Sequence, residues 1–394
     1  MAIGGLAALH GTRLCAAQPP AVLGSFSDGN LAFVLPQPDV GLPAPAQLTG
    51  SGFGGAVRPH GIDFLRVGEA LVADFTIPQL SRLRVSSGTV IGSIALSTRT
   101  NASGTVAVSP NGNFVLSFGE TSASGVGFPE SAIVSGFATG HLQVQAGPAN
   151  IQVRRFVTAA IDFAPNGRAY VCHTNGVAAL DPPYTSTVFS VTLPQAFSTS
   201  VCRLSRDGQR LFVTRASAGI GVVAAPFSAS SVPVSIAAPA GVGGLGPIGV
   251  SPDGNAVLIG QLNAAVVGQT KARLFLLRAP YTAASVMQEL TLPASISGAS
   301  CTATQGGNTI CPGFEDISIS PDGLLALVTG NSTLADTNST GRAPLLAITH
   351  PFDDATRAFH AVTIGTAGQN SEGRGTGGVR IEPADLRIFA DSFE

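Results

Sequence analysis

The chain has 394 residues, of which 11% are charged, against roughly 25% in an ordinary soluble domain, and 44% are hydrophobic. That balance excludes disorder of the highly charged kind. A formal net charge of -2 with no basic run excludes wrapping nucleic acid or an anionic membrane surface, and no apolar stretch is long enough for a helix to span a bilayer.

The 48 glycines and 27 prolines, with abundant Ser, Thr, Val and Ala, supply turn residues and β-formers and leave no long helix-forming run. An all-β chain is the expectation. At its start, Met1 to Ala17 is small and apolar and ends in Cys15-Ala16-Ala17. With no Lys or Arg before Arg13, it reads either as a secretory leader or as a disordered arm.

One short turn then recurs along the chain. Its copies are Ser109-Pro110-Asn111-Gly112, Ala164-Pro165-Asn166-Gly167, Ser205-Arg206-Asp207-Gly208, Ser251-Pro252-Asp253-Gly254 and Ser320-Pro321-Asp322-Gly323, preceded by the degenerate Phe26-Ser27-Asp28-Gly29 and Leu65-Arg66-Val67-Gly68. The glycines at 29, 68, 112, 167, 208, 254 and 323 are spaced by 39, 44, 55, 41, 46 and 69 residues, which predicts seven units. Apolar residues stand two and four positions after six of the seven glycines, as in Phe114 and Leu116, and four and six positions before each, as in Val108 and Val106 or Ile319 and Ile317. Only the first copy falters, with Ser25. Period two on both sides of a Pro-Asp-Gly turn predicts a β-hairpin.

A second signature follows four of these hairpins, Pro183-Tyr184, Pro226-Phe227, Pro280-Tyr281 and Pro351-Phe352, with an apolar strand before and another after. Each unit therefore holds four strands. Seven such units need both faces covered, which radial packing supplies and an open sheet does not. The expected architecture is a seven-bladed β-propeller of four-stranded antiparallel blades, with six or eight as the neighbouring solutions. The predicted organisation is a leader or arm over 1–20, one propeller domain over 21–370, and a closing strand with a C-terminal tail over 371–394.

These turns make the chain resemble the propellers whose blades carry Ser-Pro-Asp-Gly turns, the broad group that includes lactonase-like and YVTN-type repeat proteins. It departs from WD40 repeats, because it contains no Trp. The ending Ile388-Phe389-Ala390-Asp391-Ser392-Phe393-Glu394 looks like the short tails of some bacterial secreted proteins, with Ser392 where Gly is usual. In such propellers the strand before the turn is innermost. That arrangement offers Cys172 and Cys202 a disulfide between the fourth and fifth blades, or leaves them as two buried thiols. Cys301 and Cys311, in a Gly, Ser and Thr-rich stretch, are expected to close a short loop as a second disulfide.

Ligands of propellers commonly sit where the inner strands begin. Seven or eight positions before the turn glycines lie His60, Glu315 and Asp316, with Arg58 just upstream and Arg155 farther along its loop. This set would bind an anionic or metal-linked ligand, or supply acid-base groups to a lactonase-like hydrolase. Asp63 and Asp162, inside inner strands, need partners if buried, and hydrogen bonds to adjacent backbone are favoured over metal. Gly241-x-Gly243-x-x-Gly246 lacks the following helix of a dinucleotide site, and the calcium-loop-like Asp336 segment has Ala347 where a bidentate acid is required.

The leading expectation is a secreted or periplasmic monomeric propeller that binds a small molecule, glycan or protein. A lactonase-like hydrolase, with or without a metal, is the competing one. No catalytic residue, metal ligand or cofactor is assigned from the sequence.

Overall fold

The strand-turn-strand pattern appears in the computed structural model as seven four-stranded antiparallel sheets and one separate two-stranded hairpin. Residues 20–25, 31–35, 46–47, 59–74, 77–96, 103–119, 131–148, 151, 153, 160–173, 176–193, 201–215, 219–242, 244–261, 273–292, 302–305, 308–310, 313–330, 343–350, 352, 360–364 and 376–383 are described. Among them no helix is long and apolar enough to cross a membrane.

Blades 2 to 7 are each continuous in sequence and run from inner to outer strand in order. Their inner strands are Pro59–Arg66, Ser103–Val108, Ile161–Phe163, Cys202–Leu204, Leu245–Val250 and Phe314–Ile319. Blade 1 joins the two ends of the chain. Ala21–Ser25, Leu31–Leu35 and Ala46–Gln47 form its outer three strands, and Thr376–Ile381 its innermost, pairing Val22 with Arg380 and Ala21 with Ile381. Each inner strand packs against the next, and Thr376–Ile381 packs against both Phe314–Ile319 and Pro59–Arg66, so the ring is a closed β-propeller. The separate hairpin, Thr302–Gln305 with Asn308–Ile310, lies between blades 6 and 7 in sequence.

This closure corrects the sequence reading of Phe26-Ser27-Asp28-Gly29. The strand before it, Ala21–Ser25, is second in its blade rather than innermost, so this copy joins the second and third strands. Ser25 broke the apolar pattern because it does not stand on an inner strand.

Alternation buries both faces of every blade. In blade 7, Leu325 and Leu327 pack with Val379 and Ile381 of blade 1, while Ala326 and Val328 pack with Leu258 and Leu274 of blade 6. In blade 2, Ile62 and Phe64 meet Val22 of blade 1, while Leu71 and Leu80 meet Val106 and Val115 of blade 3. At about 25 cal/mol per Å² of apolar surface, this interblade contact is the main source of stability.

The turns are hydrogen-bonded cassettes. Ser320 Oγ donates to Asp322 Oδ1 at 2.6 Å and accepts from the Leu325 N–H at 2.9 Å, and Ser109 repeats this with Asn111 and Phe114. The closing Gly254 and Gly323 have φ of 67° and 75°, where a side chain is disfavoured. The Pro-aromatic signature completes the cassette from behind. Tyr184 donates its hydroxyl to the Gly167 carbonyl at 2.7 Å, and Tyr281 does the same to Gly254 at 2.8 Å. Each ring packs edge-on against an aromatic of the preceding blade, Tyr184 on Phe114 and Tyr281 on Phe212. The preceding X–Pro bonds at 183, 226 and 280 are cis.

A disulfide joins Cys172, on the second strand of blade 4, to Cys202 on the inner strand of blade 5, with Cα atoms 5.9 Å apart. Cys301 and Cys311 lie outside the described residues. Replacing Tyr281 by Phe keeps the ring packing and deletes one hydrogen bond to the turn. The expected loss is about 1 kcal/mol of stability, read as a lower urea midpoint with an unchanged slope.

Candidate functional site

Inner strands present an unpaired edge to the axis, so their N–H groups need acceptors other than a fifth strand. Side chains five positions before the turn glycine provide them. Asp162 in blade 4 accepts the Leu204 N–H of blade 5 at 2.8 Å with one oxygen and its neighbour Phe163 N–H at 2.9 Å with the other. Asp63 makes the same pair with Val108 of blade 3 and Phe64, at 2.7 and 2.9 Å. Ser318 Oγ accepts the Ile381 N–H at 3.0 Å, linking blade 7 to blade 1. The expectation that Asp63 and Asp162 bind adjacent backbone is met.

That hydrogen bond also fixes the register of the closing strand, making Arg380 the counterpart of Asp63. The seven equivalent residues are then Arg380, Asp63, Ala107, Asp162, Arg203, Gly249 and Ser318 in blades 1 to 7. All of them line a central cavity of about 780 Å³. One position closer to the turns, Phe64, Val108, Phe163, Leu204, Val250, Ile319 and Ile381 form an apolar collar around the same cavity. Beyond the collar, the mouth is made of turn residues such as Pro110, Pro165, Pro252 and Pro321. Arg206, which replaces the turn proline in blade 5, crosses the mouth to donate to the Pro321 carbonyl of blade 7 at 3.3 Å.

Deeper than the ring lies Asp316, fully buried. One of its oxygens accepts from Arg380 Nη1 at 2.6 Å and from the Val379 N–H at 3.0 Å. The other accepts from the Ile317 N–H at 2.9 Å and lies 3.5 Å from Arg203 Nη2. Arg203 belongs to blade 5, so the ion pair passes blade 6, where the ring residue is Gly249. A Cβ there would collide with Ile317 Cγ2.

Burial pushes the Arg203 guanidinium down from its usual range, and the neighbouring charge of Arg380 adds to this, against the pull of Asp316, Asp162 and Asp63. Burial likewise pushes the Asp63 carboxyl up, opposed first by Arg380 and then by its two backbone N–H partners.

Three of the sequence-predicted residues fall together on the far side of this ring, within the wall. His60 is buried and its Nδ1 lies 2.6 Å from the Gly104 carbonyl of blade 3; desolvation lowers its imidazole, and the charge of Asp316 raises it. Glu315, partly exposed, is pushed up to about 8 by desolvation and by the adjacent Asp316. None of the three lines the cavity described above, and Asp316 is committed to two arginines and two backbone N–H groups. Arg58 and Arg155 lie outside the described residues. Arg203 and Arg380 were not singled out from the sequence. Arg203 shares its position with Asp63 and Asp162 and was readable by that rule, whereas no copy of the turn sequence follows Arg380 to give its register. Among the described residues there is no cluster of three or more His, Cys, Asp or Glu side chains suited to a metal ion.

No protein-family model matches the sequence, and no curated protein matches it. Solved structures do. The periplasmic gluconolactonase of Pseudomonas aeruginosa is 15% identical, with a TM-score of 0.61 over 90% of this chain and 98% of that one. A hypothetical selenium-binding protein from Sulfolobus tokodaii is 11% identical, with a TM-score of 0.64 over 93% and 94% of the two chains. A putative 6-phosphogluconolactonase from Bacteroides uniformis is 11% identical, with a TM-score of 0.60 over 89% and 98%. The chain shares the β-propeller fold with all three. At such identities the likeness extends to the fold alone.

Asp162→Ala strands the Leu204 N–H, and the expected cost is about 1–3 kcal/mol, with Asp162→Asn, which keeps one acceptor oxygen, costing less; thermal unfolding of both variants checks this. Glu315 predicts a pH effect. Between 4.5, its ordinary value, and about 8, the folded chain holds a proton that the unfolded chain has released, so stability falls as pH rises through that window. Urea midpoints at about pH 5 and about pH 8.5 should converge in Glu315→Gln relative to the parent protein.

Proposed function

We propose that this protein is a secreted or periplasmic β-propeller that binds a small molecule in its central channel, entered from the end carrying the turns. The observation that carries the reading is the cavity of about 780 Å³, within the size range of ligand pockets, with charged groups at its base and an apolar collar above them. A channel of this size, open at the turn end, favours a small molecule over a glycan chain or a protein as the partner. The Cys172–Cys202 disulfide supports an oxidising compartment, and so does the resemblance of the C-terminal tail to those of bacterial secreted proteins.

A lactonase-like hydrolase is the second reading, favoured by Glu315, whose raised carboxyl is protonated at neutral pH as a general acid would be. Its partners for acid-base work are buried in the wall or committed to arginines, so binding is the stronger reading. Hydrolysis of glucono-1,5-lactone that disappears in Glu315→Gln would reverse that order.

The uncharged dye N-phenyl-1-naphthylamine tests the channel directly. Its fluorescence is expected to rise on binding to the parent protein and to stay low with Val250→Trp, which fills the collar. Equal fluorescence with both proteins would place the dye elsewhere and count against the channel.

A further inference from the structure

The charges at the base of the cavity are not mixed at random around the ring. Asp63 and Asp162, in blades 2 and 4, flank Ala107 and make an acidic arc. Arg203 and Arg380, in blades 5 and 1, flank Gly249 and Ser318 and make a basic arc facing it. All four charged side chains line the cavity.

Each of these groups keeps hydrogen-bonding capacity after its structural contacts are counted. A carboxylate offers about four acceptor positions and a guanidinium five N–H donors. Asp63 and Asp162 each accept two backbone N–H groups. Arg380 uses Nη1 alone, for Asp316 and the Val379 carbonyl. Arg203, with 13% of its side chain exposed, makes a 3.5 Å ion pair to Asp316 through Nη2.

A simple anion would gain from the basic arc but face the two carboxylates, and a simple cation would meet the converse. A head group carrying both charges on adjacent atoms satisfies both arcs at once. Above the ring, Phe64, Val108, Phe163, Val250 and Ile319 supply an apolar collar for the rest of such a molecule.

We infer that the channel takes an apolar α-amino acid or a molecule with the same zwitterionic head, its ammonium on Asp63 and Asp162, its carboxylate on Arg203 and Arg380, and its side chain in the collar toward the turns. The inference rests on the channel-binding reading and names its ligand class. Charge-assisted bonds to a carboxylate are stronger and more directional than neutral ones, so removing either charge from the ligand should be costly. Arg203 is the better residue to vary, because Arg380 also holds Asp316.

The test is competition against bound N-phenyl-1-naphthylamine by three molecules of one shape: L-phenylalanine, 3-phenylpropionate and 2-phenylethylamine. Phenylalanine is expected to displace the dye at a concentration at least about tenfold lower than either singly charged analogue, the equivalent of one such charge-assisted contact. In Arg203→Gln that advantage over 2-phenylethylamine should vanish, and in Arg203→Lys part of it should return. Retained dye binding shows that the channel of each variant is formed. Equal displacement by all three molecules, or a phenylalanine advantage unchanged in Arg203→Gln, overturns the zwitterion inference and leaves the channel reading in place. If the parent protein fails to bind the dye, the channel reading falls and the inference with it.

Discussion

The structure depends on closing a ring whose first and last strands share one blade. Every blade is apolar on both faces, so an unclosed array would leave two such faces in water. Closure rests on the pairing of Thr376–Ile381 with Ala21–Ser25, extended by the Glu382 N–H to the Pro20 carbonyl at 2.9 Å. Glu382 then reaches forward, accepting the Gly68 N–H of the blade 2 turn at 2.7 Å. That turn lacks the serine found in the turns of blades 3, 5, 6 and 7, and Glu382 supplies it with a carboxylate from the far end of the chain. The two ends are thereby tied into one core by hydrogen bonds and packing.

Closing the ring creates the polar problem that the site grows from. Seven inner strands facing one axis leave N–H groups without a strand partner, and burying them unpaired costs about 1–3 kcal/mol each. Asp63, Asp162 and Ser318 answer this at equivalent positions, and Asp316 does so one level deeper. Carboxylates brought in for the backbone then require counter-charge, which Arg203 and Arg380 provide. The channel is charged because its strands have edges. The depressed Arg203 and the raised Asp63 show that the solvation each group has lost is only partly replaced.

Much of the architecture was legible because turn chemistry and period-two alternation are local. A glycine at positive φ, a serine capping its own turn and apolar residues four and six before it all read without knowledge of neighbours. What could not be read was the first blade, whose inner strand is more than 300 residues from its second and is followed by no copy of the turn sequence. Register there is set by the Ser318–Ile381 hydrogen bond and by the pairing of Ala21 with Ile381 and Val22 with Arg380, contacts between distant segments that no window of sequence contains. The site divided in the same way. Asp63 and Asp162 stand out as charges inside apolar strands, while His60, Glu315 and Asp316 point to a mouth at the end where the inner strands begin. His60 and Glu315 do lie there, but in the wall.

Blade 5 shows how a repeat yields a site without losing its fold. Its turn, Ser205-Arg206-Asp207-Gly208, keeps the serine, which accepts the Arg210 N–H at 2.9 Å, and keeps glycine at φ 68°. It gives up only the proline, whose role is to preset φ, and that loss is small where the other contacts hold the turn. The arginine gained at that position crosses the mouth, and three residues earlier Arg203 crosses the channel floor toward the same blade 7. Both departures fall where the repeat tolerates change, at an exposed turn position and on the axis-facing side of a short strand. A repeat protein acquires chemistry most cheaply at such positions, since the interblade faces that hold the ring together stay apolar.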